Sequence, residues 1–257
     1  MTNAAPPSTD TVDEVEQPVV RRRRPSIGSR ILGGAGELLI TAGVLLGLFV
    51  VWQLWWTDVE GEQQAASAVA ELEEALPPVP EVAGTPRTDT PPVEVAAAEG
   101  AVFATLFVPD WGIDYAQPIA EGVDRPTVLD AGRVGHYSET AQAGQIGNFS
   151  VAGHRQTYGK PFYAIDTLAA GDQLIVRTAQ AWYVYEVTTS DIVRPDQVEV
   201  IAPVPGDPGA VATDAMLTLT TCHPLWSTRE RYIVHAQLAH WIPLTDGMPA
   251  ALLPEGS

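Results

Sequence analysis

Cysteine is almost absent from this 257-residue chain; Cys222 is the only one. A single thiol excludes an intrachain disulfide and any metal site built on several cysteines. Basic residues are also scarce, with 14 Lys and Arg against 32 Asp and Glu and a formal net charge of −18. That balance excludes nucleic acid as a partner, because phosphate binding needs a basic surface. Long apolar runs are lacking except for one, over residues 38–56. Wholesale disorder is excluded as well, since 46% of residues are hydrophobic and only 18% are charged, enough apolar material for a core. The 22 Pro and 22 Gly are too many for an all-helical protein. At about 150 residues per domain the length allows one large domain plus extras, or two small ones.

The charge is spread unevenly. Residues 1–56 carry five Arg (Arg21, Arg22, Arg23, Arg24, Arg30) and five acids. The remaining residues carry nine basic and 27 acidic side chains. The apolar run reads LLITAGVLLGLFVVWQLWW, 19 residues without a formal charge. At about 1.5 Å per residue it reaches about 28 Å, close to the hydrocarbon thickness of a bilayer. Trp52, Trp55 and Trp56 crowd one end, where aromatic rings sit at an interface, and the Arg tract flanks the other. The positive-inside rule places residues 1–30 in the cytoplasm and 57–257 outside. A cleaved signal peptide and a buried core helix are the rival readings. The first lacks a small-residue cleavage site, and the second fits the length and flanks poorly.

The expected organisation is a disordered cytoplasmic tail over 1–30 and a transmembrane helix over 31–56. A juxtamembrane helix and Pro-rich stalk follow over 57–94, then a β-barrel over 95–243 and a C-terminal tail over 244–257. Residues 62–76 are rich in helix formers. Residues 77–92 contain six Pro, which suits an extended segment. From residue 95 onward short apolar runs alternate with Gly, Pro and Asp. The runs 102–108, 147–152, 173–177, 181–192, 215–221 and 231–238 read as strands. No helical pattern alternates with them, so a closed antiparallel β-barrel is expected rather than a βαβ sheet.

Cys222 ends the run LTLTT, before His223 and Pro224. Free cysteine is often simply buried, but its neighbours suit a core poorly, and a lone thiol in an exported domain is exposed to oxidation. A nucleophilic thiol needs a partner. Thiols titrate at about 8.5 and imidazoles at about 6.5, so a nearby imidazolium stabilises the thiolate. Of His136, His154, His223, His235 and His240, His154 is the first candidate, because it closes the predicted strand NFSVAGHR at a loop mouth; His136 is second. His223 adjoins the thiol but points the other way on an extended strand. Acyl transfer also needs an oxyanion partner, and Arg231, nine residues on, returns beside the thiol if 222–231 is a hairpin. Arg229 competes for that role.

The segments AGHR (152–155), TLTTCHP (218–224) and RYIVHA (231–236) resemble the sortases, membrane-anchored cysteine transpeptidases, over about residues 95–240. The stretch 135–162 and the pair His223-Pro224 look most like class E sortases of actinobacteria. The resemblance implies a sortase-type barrel of about eight strands with short helices. It implies Cys222 as nucleophile, His154 as acid and base, and Arg231 as oxyanion partner. The substrate would be a secreted protein bearing a sorting signal similar to Leu-Ala-x-Thr-Gly, or with Pro second, cut between Thr and Gly. The acceptor would be a peptidoglycan precursor amine. Tyr137 matches the position thought to favour Ala over Pro in the signal, and Thr221 would place a hydroxyl near the oxyanion. No metal or organic cofactor is expected; no spaced acidic loop suggests calcium. Asp110-Trp111 departs from the Asp-Pro-aromatic lid of pilin-polymerising sortases, and no second apolar run follows at the C-terminus. The alternatives are a pilin polymerase, a thiol hydrolase, and a non-catalytic wall-binding barrel.

Overall fold

The computed structural model describes residue 1 and residues 27–254. The Arg tract at 21–24 and nearly all of the expected cytoplasmic tail lie outside the described residues, as do 255–257. The chain divides into two compact units, residues 1–49 and 50–257.

Helix α1 spans Ile27–Ala75. The two helices expected over 31–56 and 62–76 are thus one element. No proline interrupts residues 27–76, so nothing removes a backbone donor in the polar stretch between them. The helix stops before Pro77 and Pro78. Its apolar side chains from Leu38 to Val51 are exposed. Its most apolar 18-residue window has a mean hydropathy of 2.1 and no buried residue. By length and composition it is sufficient to cross a membrane. The later part differs: Gly61, Ala65 and Ala68 are buried, a small-residue face at helical spacing.

Eight strands close a barrel in the order β1-β2-β3-β4-β7-β8-β6-β5. They are β1 (Val102–Phe107), β2 (Ala116–Glu121), β3 (Val134–His136), β4 (Gly147–Ala152), β5 (Gln173–Arg177), β6 (Ala181–Val193), β7 (Ala215–His223) and β8 (Glu230–Pro243). Six predicted runs correspond to strands. β2 and β3 were not predicted: β2 contains Pro118 and β3 is three residues long, so neither carries a strand pattern. Six seams are antiparallel, but β2–β3 and β4–β7 are parallel. The closed barrel expected from the sequence is present, but these two of its seams are parallel rather than antiparallel. Both are made possible by long connections, 122–133 and 153–214, that carry the chain back to the same end before the next partner strand starts.

Alternation along β5 and β6 explains two cores. Leu174, Val176, Tyr183 and Tyr185 point into the barrel with Leu106, Ile119, Phe149, Leu217 and Val234. Burying each such side chain contributes roughly 1.5–3 kcal/mol. Ile175, Trp182 and Val184 point outward and form a second cluster with Ile242, Leu244 and Leu252. An outward apolar face needs a cover, and the segments expected as a stalk and a tail supply it. Gly84 N donates to Met248 O, Arg87 and Trp241 exchange backbone hydrogen bonds, and the Tyr183 hydroxyl donates to Pro92 O. The Pro-rich segment is extended, as its composition requires, but it is strapped onto the barrel.

His235, opposite Thr218 on the β7–β8 seam, is structural. His235 is buried, and Nδ1 lies 2.8 Å from Thr218 Oγ1. The Thr218 proton is committed to Asn148 Oδ1, so His235 Nδ1 donates. Burial pushes the His235 imidazole below its usual value, opposed in part by Asp191. A depressed imidazole contributes stability that is complete above about pH 6.5 and declines as pH falls toward the lowered native value. We expect the urea midpoint of the native protein to drop between about pH 7.5 and 5.5. His235→Gln, which keeps a donor, should flatten that drop; an equal drop in both proteins would contradict the assignment.

Candidate active site

The pairing registers decide which side chains meet. In the parallel β4–β7 seam, Ala152 lies opposite Thr220. Two residues further along the two chains come His154 and Cys222, at the same end of the barrel. In the antiparallel β7–β8 seam, Cys222 lies opposite Arg231, so the two side chains share a face. Sulfur, imidazole and guanidinium therefore come from adjacent strands at one rim. All three line a single cavity of about 850 Å³ together with Tyr137, Thr220, Thr221, Gln156 and Trp226. Cys222 is only partly buried.

The remaining histidines stand elsewhere. His136 is fully buried, with Nδ1 2.9 Å from Glu121 Oε2 and Nε2 3.1 Å from Ala141 O. His223 accepts from Arg155 Nη1 at 2.7 Å. Arg155 is itself 2% exposed and pairs with Asp166 at 2.6 Å. It thereby ties the residue after the thiol to the loop after His154. His240 pairs with Val184 on the far part of β8.

His154 Nε2 lies 2.7 Å from Asp130 Oδ1. A carboxylate oxygen accepts, so Nε2 carries the proton, and Nδ1 is the nitrogen left for proton exchange. The ring stacks on Tyr158 at 5.2 Å. Asp130 belongs to a single 3-10 turn, Leu129–Ala131. Sequence reasoning missed it because nothing near Leu129 marks a chemical role; only the fold brings that loop to His154.

Arg231 Nη1 donates to Thr228 O and Glu230 O, both at 2.9 Å. This anchors the guanidinium over the hairpin. The donors on Nε and Nη2 have no protein acceptor among the described residues. The Thr220 hydroxyl donates to Val151 O, so the Tyr137 hydroxyl, 3.1 Å away, donates to Thr220. Thr221 lines the cavity, but its hydroxyl donates to Gly153 O at 2.7 Å, bracing the turn before His154. Arg229, the competitor of Arg231, lines the same cavity nearer the loop.

The loop after His154 is held in an unusual backbone. Thr157, Tyr158, Gly159 and Lys160 all have positive φ, at 66°, 51°, 75° and 39°. Non-glycine residues pay about 1–2 kcal/mol each there, so surrounding contacts must hold the loop. Helix α1 supplies them. Lys160 Nζ lies 3.0 Å from Asp58 Oδ2. A Cβ on Gly61 would stand 2.4 Å from the Tyr158 carbonyl carbon and 2.5 Å from Gly159 N. A Cβ on Gly132, beside the Asp130 turn, would stand 2.3 Å from Gly61 O. Backbones meet directly at that point. Gly61→Ala must therefore push the helix off both loops, an overpacking cost of about 1–3 kcal/mol. We expect a lower urea midpoint. Native stability in this variant would mean that the helix does not seat there.

The Sortase domain family model matches residues 106–239. Sortase SrtE1 of Streptomyces coelicolor is 37% identical over 239 residues, 91% of this chain and 64% of that protein. The chain thus spans just under two-thirds of that relative's length. Among solved structures, the SrtA sortase from Actinomyces oris is 46% identical with a TM-score of 0.63, over 67% of this chain and 99% of the other. Sortase E1 from Streptomyces coelicolor, solved with a tripeptide in its active site, is 38% identical with a TM-score of 0.56, over 60% and 99%. The barrel, the rim geometry and these similarities agree: the chain belongs to the sortase family.

Proposed function

We propose that this chain is a membrane-anchored cysteine transpeptidase that attaches secreted proteins to peptidoglycan. The observation that carries the reading is the single cavity shared by Cys222, His154 and Arg231. The substrate is a sorting signal of the Leu-Ala-x-Thr-Gly type. The Cys222 thiolate attacks the Thr carbonyl carbon, and the carbonyl oxygen takes up the negative charge. Arg231, through its uncommitted N–H donors, stabilises that oxyanion. As the intermediate collapses, His154 gives a proton to the Gly nitrogen, which leaves as a free amine. The Thr thioester on Cys222 is then attacked by a peptidoglycan precursor amine; His154 takes the amine proton, and the thiolate departs. Tyr137, on the cavity wall, contacts the second residue of the signal, where it favours Ala over Pro. Thr221 sets the turn that carries His154. Residues 31–56 cross the membrane with residues 1–30 in the cytoplasm and the barrel outside.

The test is product analysis with the full-length protein and a Leu-Ala-x-Thr-Gly peptide, with and without an added amine. Cleavage between Thr and Gly, with the amine joined to Thr, is the expected result. Cleavage in which the amine is never incorporated would make the protein a thiol hydrolase. No cleavage across signal variants, including those with Pro second, would leave a binding barrel.

Asp130 positions the imidazole in this scheme. Asp130→Ala should lower kcat about tenfold, with KM little changed, less than the 10²–10⁴ that loss of the general acid costs. Asp130→Glu should recover part of the loss, which a purely structural contact would not.

A further inference from the structure

The catalytic cavity is lined by a residue of the membrane anchor. Leu54 contributes to its wall and is 41% exposed. It lies two residues before Trp56, inside the aromatic end of the apolar run. Trp55 and Trp56 are 59% and 47% exposed, as expected of side chains at a lipid–water boundary. At about 1.5 Å per residue, Leu54 and Trp56 differ in depth by only about 3 Å. A cavity that includes Leu54 therefore opens at the depth of the lipid headgroups.

The opposite rim has the same character. Trp226 lines the cavity from the β7–β8 loop and is 70% exposed. Its backbone has φ 63°, and its N–H is held by Gln156 Oε1 at 2.6 Å. The loop thus holds a large apolar ring out into its surroundings, beside Leu225, also exposed. Charge points the same way. In a chain of net charge −18, no Asp or Glu among the described residues lines this cavity, whereas Arg125, Arg155, Arg229 and Arg231 do. Arg155 is buried; Arg125 reaches Asp130 at 3.4 Å but its side chain is still 65% exposed, and Arg229 is exposed without an ion pair among the described residues.

From the continuity with the anchor helix and this charge complementarity, we propose that the β7–β8 loop docks on an anionic bilayer surface. Trp226 and Leu225 enter the interfacial layer while Arg125 and Arg229 contact lipid phosphates, so that the cavity faces the membrane. Such a surface combines apolar burial with attraction to anionic lipid. Docking would present the groove to peptides and amines that are themselves held at the membrane. The proposal rests on residues 31–56 being a membrane span.

The test uses the full chain in nanodiscs, made with phosphatidylglycerol or with phosphatidylcholine alone. In a Cys222→Ala background, single spin labels are placed by Trp226→Cys, by Val211→Cys on the remote β6–β7 loop, and by Leu45→Cys in the span. Leu225→Cys serves as a second probe of the docking loop should the Trp226 variant fold poorly. The ratio of collisions with oxygen to collisions with a water-soluble nickel chelate reads depth. We expect position 45 deep in lipid, position 211 aqueous, and positions 226 and 225 severalfold above 211 in that ratio, more so with phosphatidylglycerol. A lipid-embedded position 45 with 226 and 225 as aqueous as 211 would overturn the docking and leave the anchor standing. An aqueous position 45 would overturn the anchor and the docking together. Labels at 226 and 225 that leave water only when a sorting-signal peptide is added would assign the loop to substrate and also overturn the proposal.

Discussion

Cys222→Ala is expected to abolish both peptide cleavage and amine transfer, by at least about 10⁴-fold, while leaving the barrel folded. In the proposed mechanism both half-reactions pass through the same thioester, so neither has a route once the sulfur is gone. The fold should tolerate the change because Cys222 is partly exposed at the strand end. Stability against urea should therefore be close to native. Cys222→Ser retains the shape but not the nucleophile, because a hydroxyl is far less ionised than a thiol, and it should be nearly as inactive. Mass spectrometry offers a direct check: the native protein incubated with the peptide and no amine should carry the signal fragment on residue 222. Cleavage by Cys222→Ala at more than a small fraction of the native rate would end the thioester mechanism.

Arg231→Ala should cost about 10²–10³-fold in kcat, the usual loss when one oxyanion donor is removed. The register sets Arg231 opposite Cys222, and its Nη1 bonds to Thr228 O and Glu230 O hold the guanidinium on that strand end. Charge develops on the carbonyl oxygen only in the transition state, so kcat should fall more than KM rises. Arg231→Lys should recover little. An ammonium is a compact point charge on a flexible stem, without the planar fork that lets one face of the guanidinium bind the backbone carbonyls while its other donors stay aimed at the oxyanion. Arg229→Ala separates the two arginines: it should lose far less than Arg231→Ala. Equal losses would mean that the sequence position nearer the loop shares the oxyanion role.

The candidate residues were legible because thiol and imidazole are rare in this chain. One thiol and five histidines left a short list of partners, and strand-like runs placed Cys222, His154 and Arg231 each near a strand end. Asp130 was not legible, because one acid among 32 carries no local mark. Gly61 was not legible either; its role is a close approach between helix α1 and two loops distant in sequence. The two helices read separately in the sequence form one rod because periodicity reports composition, whereas continuity depends only on the absence of a helix breaker.

Residue order alone therefore established a single membrane-length helix, a β-rich domain after it, and a lone thiol with a small set of partners, since hydrophobic period, proline placement and residue scarcity are local properties. The direction of the β4–β7 seam belonged to the folded molecule. An antiparallel pairing there would have put His154 and Cys222 at opposite ends of the sheet, and no local pattern distinguishes the two, because strands alternate with the same period either way. The long excursion from 153 to 214 brings the chain back to run alongside β4, and the packing of the barrel interior selects that parallel register.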